Sequence, residues 1–588
     1  MSVSLSKTAS KPGLVESGVA LRAAYISVFL IPLIAVAMLP FLAIPIVFIL
    51  VVRFGTVKVR SSGEFGTARL ATFDDLQNAN LVGPKGLILG RVFGKRASLY
   101  HAVKRLFTAP LADSREVCTY LRYAIRGKRG PETHLVRLRK GIHGLVCAPP
   151  GAGKGVSFVL PNLFSYPGSV VAIDPKGELF TATGRVRRKL LKNRVIRLDP
   201  LEVCGPGGAR FNPLMHVDPF SPLVGDLATA IAEALVVRTG REQEEHWNDS
   251  AQLGITGALL YVIVYAAPDD KTLSAVADLL TDSEAFAGMV AMMRDVNGDL
   301  ESVCGHTHAY KLLRRYGNTM ASWEERELSS IRSSIGRHMS WIHSPLVENH
   351  LLKSDFDPKD LVRDNVTVYL VLPPKYLSTL SRLLRLWVTT LYGAVTECGP
   401  QEDREVLFML DEVGSLGASL PSLYQAITLG RGYGVRCWLI LQSISQLKTI
   451  FPREGESQTV EASMDHKMFF GVRDFATAEM ISNYSGTTTI SVTSHTKSRG
   501  STTTGGGFFS SEKHSRSTNE GTSETTSLTG RKLLMPDEII QLPPDLAVIL
   551  SKGVPPILAG LAKYYETPEL AYAWPYVGKA KREVPAVA

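Results

Sequence analysis

Residues 148–156 read APPGAGKGV, and their types suit the handling of polyphosphate. Glycines let backbone N–H groups turn inward toward a phosphate, and Lys154 can reach β- and γ-oxygens. A phosphate loop ordinarily runs G-x-x-x-x-G-K-[ST], its last hydroxyl serving Mg²⁺. Here the loop comprises Ala148, Pro149, Pro150, Gly151, Ala152, Gly153, Lys154, Gly155 and Val156, so it lacks both the leading glycine and that hydroxyl. Ser157, two positions on, faces another side of the helix and does not replace it. Mg²⁺ must then be held by nucleotide oxygens, water and a distant carboxylate, which suits an ion that keeps several waters. The stretch EVLFMLDEVGSLG, residues 405–417, supplies the carboxylate as an apolar strand ending in Asp411–Glu412. Asp411 would hold Mg²⁺, directly or through water. Glu412 would orient and deprotonate the attacking water, which makes the chemistry ATP hydrolysis rather than binding alone. A glycine turn alone is often only a connection, and an Asp-Glu pair alone is often a helix cap. Together in strand, turn, helix order they favour catalysis.

A third group follows in LGRGYGVRCWLILQSISQL, residues 429–447. Gln442 stands at the tip of a strand beside the Asp411 strand, where a polar side chain can sense a γ-phosphate. Arg431 lies on the preceding loop, where a guanidinium can stabilise transition-state charge in a neighbouring subunit. Arg436 is the competing candidate for that role. These features describe an ATPase that works as a ring.

Parallel strands must position these groups. GIHGLVCA (141–148), GSVVAID (168–174) and RVIRLD (194–199) read as buried strands, with a helix over 154–165 after the first. Lys154 and Asp411 are more than 250 residues apart, far more than a sheet needs. The insert over 217–364 shows helical periodicity, as in DLATAIAEALVV and DKTLSAVADLL.

The 588-residue chain is too long for one core, and its net charge of +10 suits nucleic acid or an anionic membrane surface. Six scattered cysteines with no C-x-x-C pair and no metal spacing read as reduced, mostly buried thiols. Residues 23–52 carry no charge. As a helix they would span ~45 Å against a hydrocarbon core of ~30 Å. They read as membrane-spanning, either one long crossing or a tight hairpin near Pro40, with basic residues on both flanks. A signal peptide would be shorter, with a small-residue cleavage site.

The chain resembles coupling proteins of type IV secretion and conjugation systems, the TraG/TraD-type family. The resemblance runs through GEFGTARLATFDDLQNANLVGPKGLILGR (63–91), the phosphate loop, VVAIDPKGELF (170–180), FNPL (211–214), HWNDSAQLGITGALL (246–260), FFGVRDFATAEMIS (469–482) and RKLLMPDEIIQLP (531–543), in the family's order. It implies a RecA-like P-loop ATPase domain of α/β class with an inserted all-α domain and an N-terminal transmembrane segment. Glycine after the lysine is a frequent family variant, and Arg431 matches the family's finger position. The implied layout is a cytoplasmic N-terminal segment (1–22), the membrane region (23–52) and a connector (53–130). The motor takes 131–216 and 365–575, the all-α domain 217–364 and a short tail 576–588. The Ser/Thr/Gly-rich stretch 491–527 reads as a mobile loop.

The implied cofactors are ATP and Mg²⁺. The implied partners are single- and double-stranded DNA bound without sequence specificity, relaxase or effector proteins, secretion channel components, the membrane, and further copies in a homohexamer. Localisation would be the bacterial inner membrane, with the ATPase body in the cytoplasm. The basic, aromatic stretch 310–342 reads as a DNA-touching surface or a solvated amphipathic helix. Long acidic tails of relatives and their periplasmic segment are not matched. Three other readings are a receptor whose assembly ATP controls without driving transport, an FtsK-like DNA translocase, and a membrane-tethered metabolic kinase. The translocase would want a C-terminal winged helix, and the kinase would want acceptor-binding motifs.

Overall fold

The computed structural model describes residues 64–93, 121, 133–139, 143–238, 245–295, 307–401, 404–417, 420–504 and 515–577. The apolar stretch 23–52 lies outside them, and no described helix is long and apolar enough to cross a membrane. The described parts of Gln77–Arg91, Leu135–Ala478 and Ile540–Ala588 form one compact unit; those of Met1–Leu76, Val92–His134 and Glu479–Ile539 form a second.

The larger unit is built on strands of β-branched and aliphatic residues buried on both faces, the pattern of a sheet covered on each side. Seven run parallel: β3 (Gly144–Cys147), β4 (Ser169–Ile173), β5 (Arg194–Leu198), β6 (Val366–Leu370), β7 (Val406–Asp411), β8 (Val435–Leu441) and β9 (His466–Phe470). Their spatial order is β9-β3-β8-β7-β4-β6-β5. The strand leading into the phosphate loop therefore lies one strand away from the strand ending in Asp411, with β8 between them. Antiparallel β12 (Leu546–Ser551) and β13 (Val554–Gly560) extend the β9 edge, followed by β1 (Leu87–Phe93) and β2 (Thr133–Leu138).

β1 falls in the stretch read as a connector, yet it is a strand of the motor sheet. The reason is local. Leu87, Ile88 and Leu89 are fully buried. The buried Asn162 amide, on the helix after the phosphate loop, accepts from the Ile88 N–H at 2.6 Å and donates to its carbonyl at 2.9 Å. A side chain thus pairs with a backbone as another strand would.

Between β5 and β6 the described residues form helices and no strand: Val224–Leu235, Glu245–Tyr265, Leu273–Thr281, Ser283–Arg294, Thr307–Ala321, Glu325–Met339 and Pro345–Leu351 among them. Helices Thr307–Ala321 and Glu325–Met339 bury Leu313, Met320, Ile331, Ile335 and Met339. Their Lys311, Arg314, Arg315, Arg326 and Arg337 point to solvent.

In the smaller unit, the described residues of the stretch read as a mobile loop, 491–504 and 515–527, instead lie in a long antiparallel ribbon, β10 (Thr487–Thr504) with β11 (Ser515–Lys532). Polar composition signals the lack of a core, but threonine's branched Cβ favours extended backbone whether or not a core exists.

Candidate nucleotide-binding site

The phosphate loop begins where β3 ends, with the Ala148 N–H donating to the Leu441 carbonyl at 3.0 Å and so tying the loop to the tip of β8. Gly151 (φ 80°) and Gly153 (φ 91°) adopt left-handed backbone that a side chain would strain. A wide π-turn, Gly155–Val159, then opens into the helix Leu160–Ser165. The Lys154 ammonium donates to the Ala148 carbonyl at 2.9 Å, across the loop's own mouth. Gly471, at the end of β9, backs the loop: a Cβ there would lie 3.0 Å from that of Ala152.

Gly155 is different from the other loop glycines. Its backbone is not left-handed, and a Cβ built on it would meet no atom within 4 Å. Neither conformation nor packing demands glycine there. Ser157 is fully buried and donates to the Gly153 carbonyl at 2.7 Å, so it turns away from the cleft.

Asp411 ends β7. Burial pushes its carboxyl up to about 6, the neighbouring Glu412 charge adds to the rise, and Lys154 opposes it. Its Oδ1 accepts from the Glu412 N–H at 3.0 Å. Glu412 sits in left-handed backbone (φ 54°, ψ 43°), a conformation that costs a non-glycine residue ~1–3 kcal/mol. Its carboxylate Oε2 accepts from Gln442 Nε2 at 3.0 Å, and the Gln442 N–H donates to Gln446 Oε1 at 2.8 Å. The strand-tip glutamine and the Asp-Glu pair, 30 residues apart, are therefore in direct contact.

A cleft of about 740 Å³ is lined by Pro149, Pro150, Gly151, Gly153, Lys154, Gly155 and Val156 on one side and by Asp411 and Glu412 on the other. That volume is of the size that holds small-molecule ligands. Ala148, Ala152 and Gln442 do not line it; Gln442 reaches it through Glu412. No group of three His, Cys, Asp or Glu among the described residues could hold a metal ion. Asp174, Asp411 and Glu412 line the cleft, a donor set that would suit an ion held mainly by phosphate oxygens and water.

Arg431 lies elsewhere. It is exposed on the turn Gly430–Tyr433, which leads into the start of β8, whereas Gln442 follows its end. A strand of that length spans ~23 Å, so Arg431 stands well away from this cleft. Arg436 is buried and ion-paired with Glu405.

Two residues escaped the sequence reading. Asp174, at the end of β4, lines the cleft; burial pushes it up to about 6, and it accepts from the Phe180 N–H at 2.8 Å, capping the helix Glu178–Lys189. An acid at the carboxyl end of an apolar strand was the available signal, because ligands of open parallel sheets bind at that edge. Arg385, fully buried on helix Leu377–Glu397 and pulled down to about 9 by burial, donates to the carbonyls of Ala234 (2.8 Å) and Leu416 (3.2 Å). It ties the helical insert to the turn after Glu412, and no sequence signal marked it.

The family model for type IV secretory system conjugative DNA transfer matches residues 69–583. The chain belongs to the TraG/VirD4 family of type IV secretion coupling proteins. The conjugal transfer protein TraG of Escherichia coli is 28% identical over 491 residues, covering 81% of this chain and 71% of that one. Protein VirD4 of Rhizobium radiobacter is 27% identical over 513 residues, covering 87% of this chain and 65% of that one. Among solved structures, the unbound bacterial conjugative coupling protein TrwBdeltaN70 superposes with a TM-score of 0.50 at 18% identity, over 72% of this chain and 86% of that one. That likeness establishes the RecA-like α/β fold for this coupling protein.

Proposed function

We propose that this coupling protein is a membrane-anchored, Mg²⁺-dependent ATPase. In this reading it recruits relaxase-bound DNA or protein substrates and delivers them to a type IV secretion channel, working as a homohexamer at the bacterial inner membrane with its motor in the cytoplasm. The observation that carries the ATPase part is the single cleft that sets Lys154 opposite Asp411 and Glu412, with Glu412 held by Gln442. Lys154 neutralises charge on the β- and γ-oxygens. Glu412 takes the proton of the attacking water, and Gln442 fixes the rotamer from which it does so. Asp411 would hold Mg²⁺, which when bound would supply charge neutralisation at the phosphates. Arg431 acts in trans on a neighbour's nucleotide, in keeping with its distance from its own cleft. The uncharged stretch 23–52 supports the anchor, and the outward basic residues of the helical insert support contact with DNA phosphates.

Gly155 favours a second reading, a receptor in which ATP sets assembly without driving transport, because a missing metal hydroxyl weakens hydrolysis more than binding. ATP turnover by the purified protein, beside Lys154→Ala, separates the two. Motor function requires turnover that the substitution abolishes, with the fold unchanged by circular dichroism. Absent turnover with intact ATP binding would leave the receptor.

A further inference from the structure

The ribbon β10–β11 pairs 18 residues per strand, or ~60 Å at ~3.3 Å per residue. Its base is held. Thr488 bridges to Thr67, and the Ala68 N–H donates to the Thr487 carbonyl at 3.0 Å. Gly66 makes this approach possible, since a Cβ there would lie 2.2 Å from the Thr487 oxygen. Beyond Ile490 the sheet consists of these two strands alone among the described residues, and residues 491–500 are exposed. Both outer edges thus present backbone N–H and C=O groups over a length at which proteins ordinarily cover, interrupt or pair an edge. A two-stranded ribbon is at best marginally stable in water.

The side chains say what fits beside it. On one face β10 presents Lys497 and Arg499, with His495 alongside, while β11 presents Glu520 and Glu524 on that same face. Arg499 pairs with Glu520 at 2.8 Å and His495 with Glu524 at 3.9 Å inside the ribbon. The other face, from Ile490 to Ser498 and from Gly521 to Thr529, carries no charge. Over 495–499 and 520–524 one edge is therefore basic and the other acidic, whereas Arg516, Arg531 and Lys532 stand only at the two ends of β11. A second copy in the same orientation sets its basic β10 against the first copy's acidic β11, antiparallel as within each ribbon. Turning the copy over would set like charges together. A head-to-tail contact of this kind repeats from copy to copy and closes into a ring when the rotation between copies is that of a cyclic assembly.

We propose that the ribbons of neighbouring copies pair edge to edge, β11 of one with β10 of the next, into a closed β-collar with two strands per subunit. The inference rests on the ring reading above. Its test is disulfide cross-linking of the whole chain. One version carries Thr496→Cys on β10. A second, differently tagged, carries Ser523→Cys, Thr525→Cys or Ser527→Cys on β11 to scan the register. All four positions lie on the uncharged face, and the chain's own cysteines set the baseline. When the two versions are purified together and oxidised, a reducible band of twice the subunit mass should carry both tags in at least one register. Oligomers without that band in any register would overturn the collar and leave the ring reading intact. Monomers alone would overturn both. A dimer band from Thr496→Cys by itself would overturn the head-to-tail polarity.

Discussion

At the scale of single residues, Glu412 is the most constrained group in the cleft. Its backbone is left-handed and its carboxylate is fixed by Gln442, whose own backbone is fixed by Gln446. Removing the Gln442 amide frees the carboxylate to rotate without touching the phosphate loop. Gln442→Ala should therefore keep ATP affinity within a few-fold of the parent and lower turnover by ~10²-fold, the scale of a misplaced general base. Equal losses in binding and turnover would point to a collapsed site. Gly155 makes an opposite prediction. Because a Cβ there meets nothing, Gly155→Ser should fold normally and lower the Mg²⁺ concentration giving half-maximal turnover. An unchanged Mg²⁺ dependence would mean that the hydroxyl cannot reach the ion. That Lys154, Asp411 and Glu412 share a cleft was legible because phosphate and water chemistry calls for residues of these types at strand ends. Asp174 and Arg385 were not, since a cap and a buried carbonyl clamp leave no pattern in one sequence.

At the scale of elements, β8 separates Gln442 from Arg431 by its length. Gln442 follows its end, beside the cleft, and Arg431 precedes its start, away from it. Arg431→Ala should bind ATP nearly normally and hydrolyse it poorly, with a rate loss that can reach ~10³-fold. Mixed with Lys154→Ala subunits it should regain activity, because mixed rings hold interfaces joining an intact site to an intact arginine. Failure to recover at any ratio, in rings shown to be mixed, would place Arg431 outside the chemistry. The parallel strands were readable because burial on both faces leaves unbroken apolar runs. β1 was hidden because a side chain, Asn162, completes its pairing. The ribbon was hidden because its polarity looked like that of a loop.

For the whole molecule, buried histidines set the acid limit of stability. Burial pulls His143, His338, His350 and His466 from the usual 6.5 to about 4; for His338 the positive charges of Arg382 and other nearby arginines reinforce the effect. Between those values the unfolded chain takes up protons that the folded protein refuses. Their contribution is therefore complete above pH 6.5 and lost as pH falls, by about 2 kcal/mol per histidine at pH 5. Asp174 and Asp411, raised to about 6, act with the opposite sign, because the folded protein binds their protons first. Each returns about 1 kcal/mol at pH 5. Four groups outweigh two, so the melting temperature should fall from pH 7 to pH 5, and His338→Asn should flatten that slope. A melting temperature that rises over this interval would contradict the assignment of neutral buried histidines.

We read the Lys154, Asp411 and Glu412 cleft as a working motor site. Its most direct test is steady-state ATP turnover by the purified whole chain, with and without single-stranded DNA, beside Glu412→Gln. The expected result is slow basal hydrolysis that DNA stimulates, and a Glu412→Gln protein that binds ATP as tightly yet does not turn it over. Hydrolysis by Glu412→Gln at the parent rate would make Glu412 a cap rather than a base and would contradict the account.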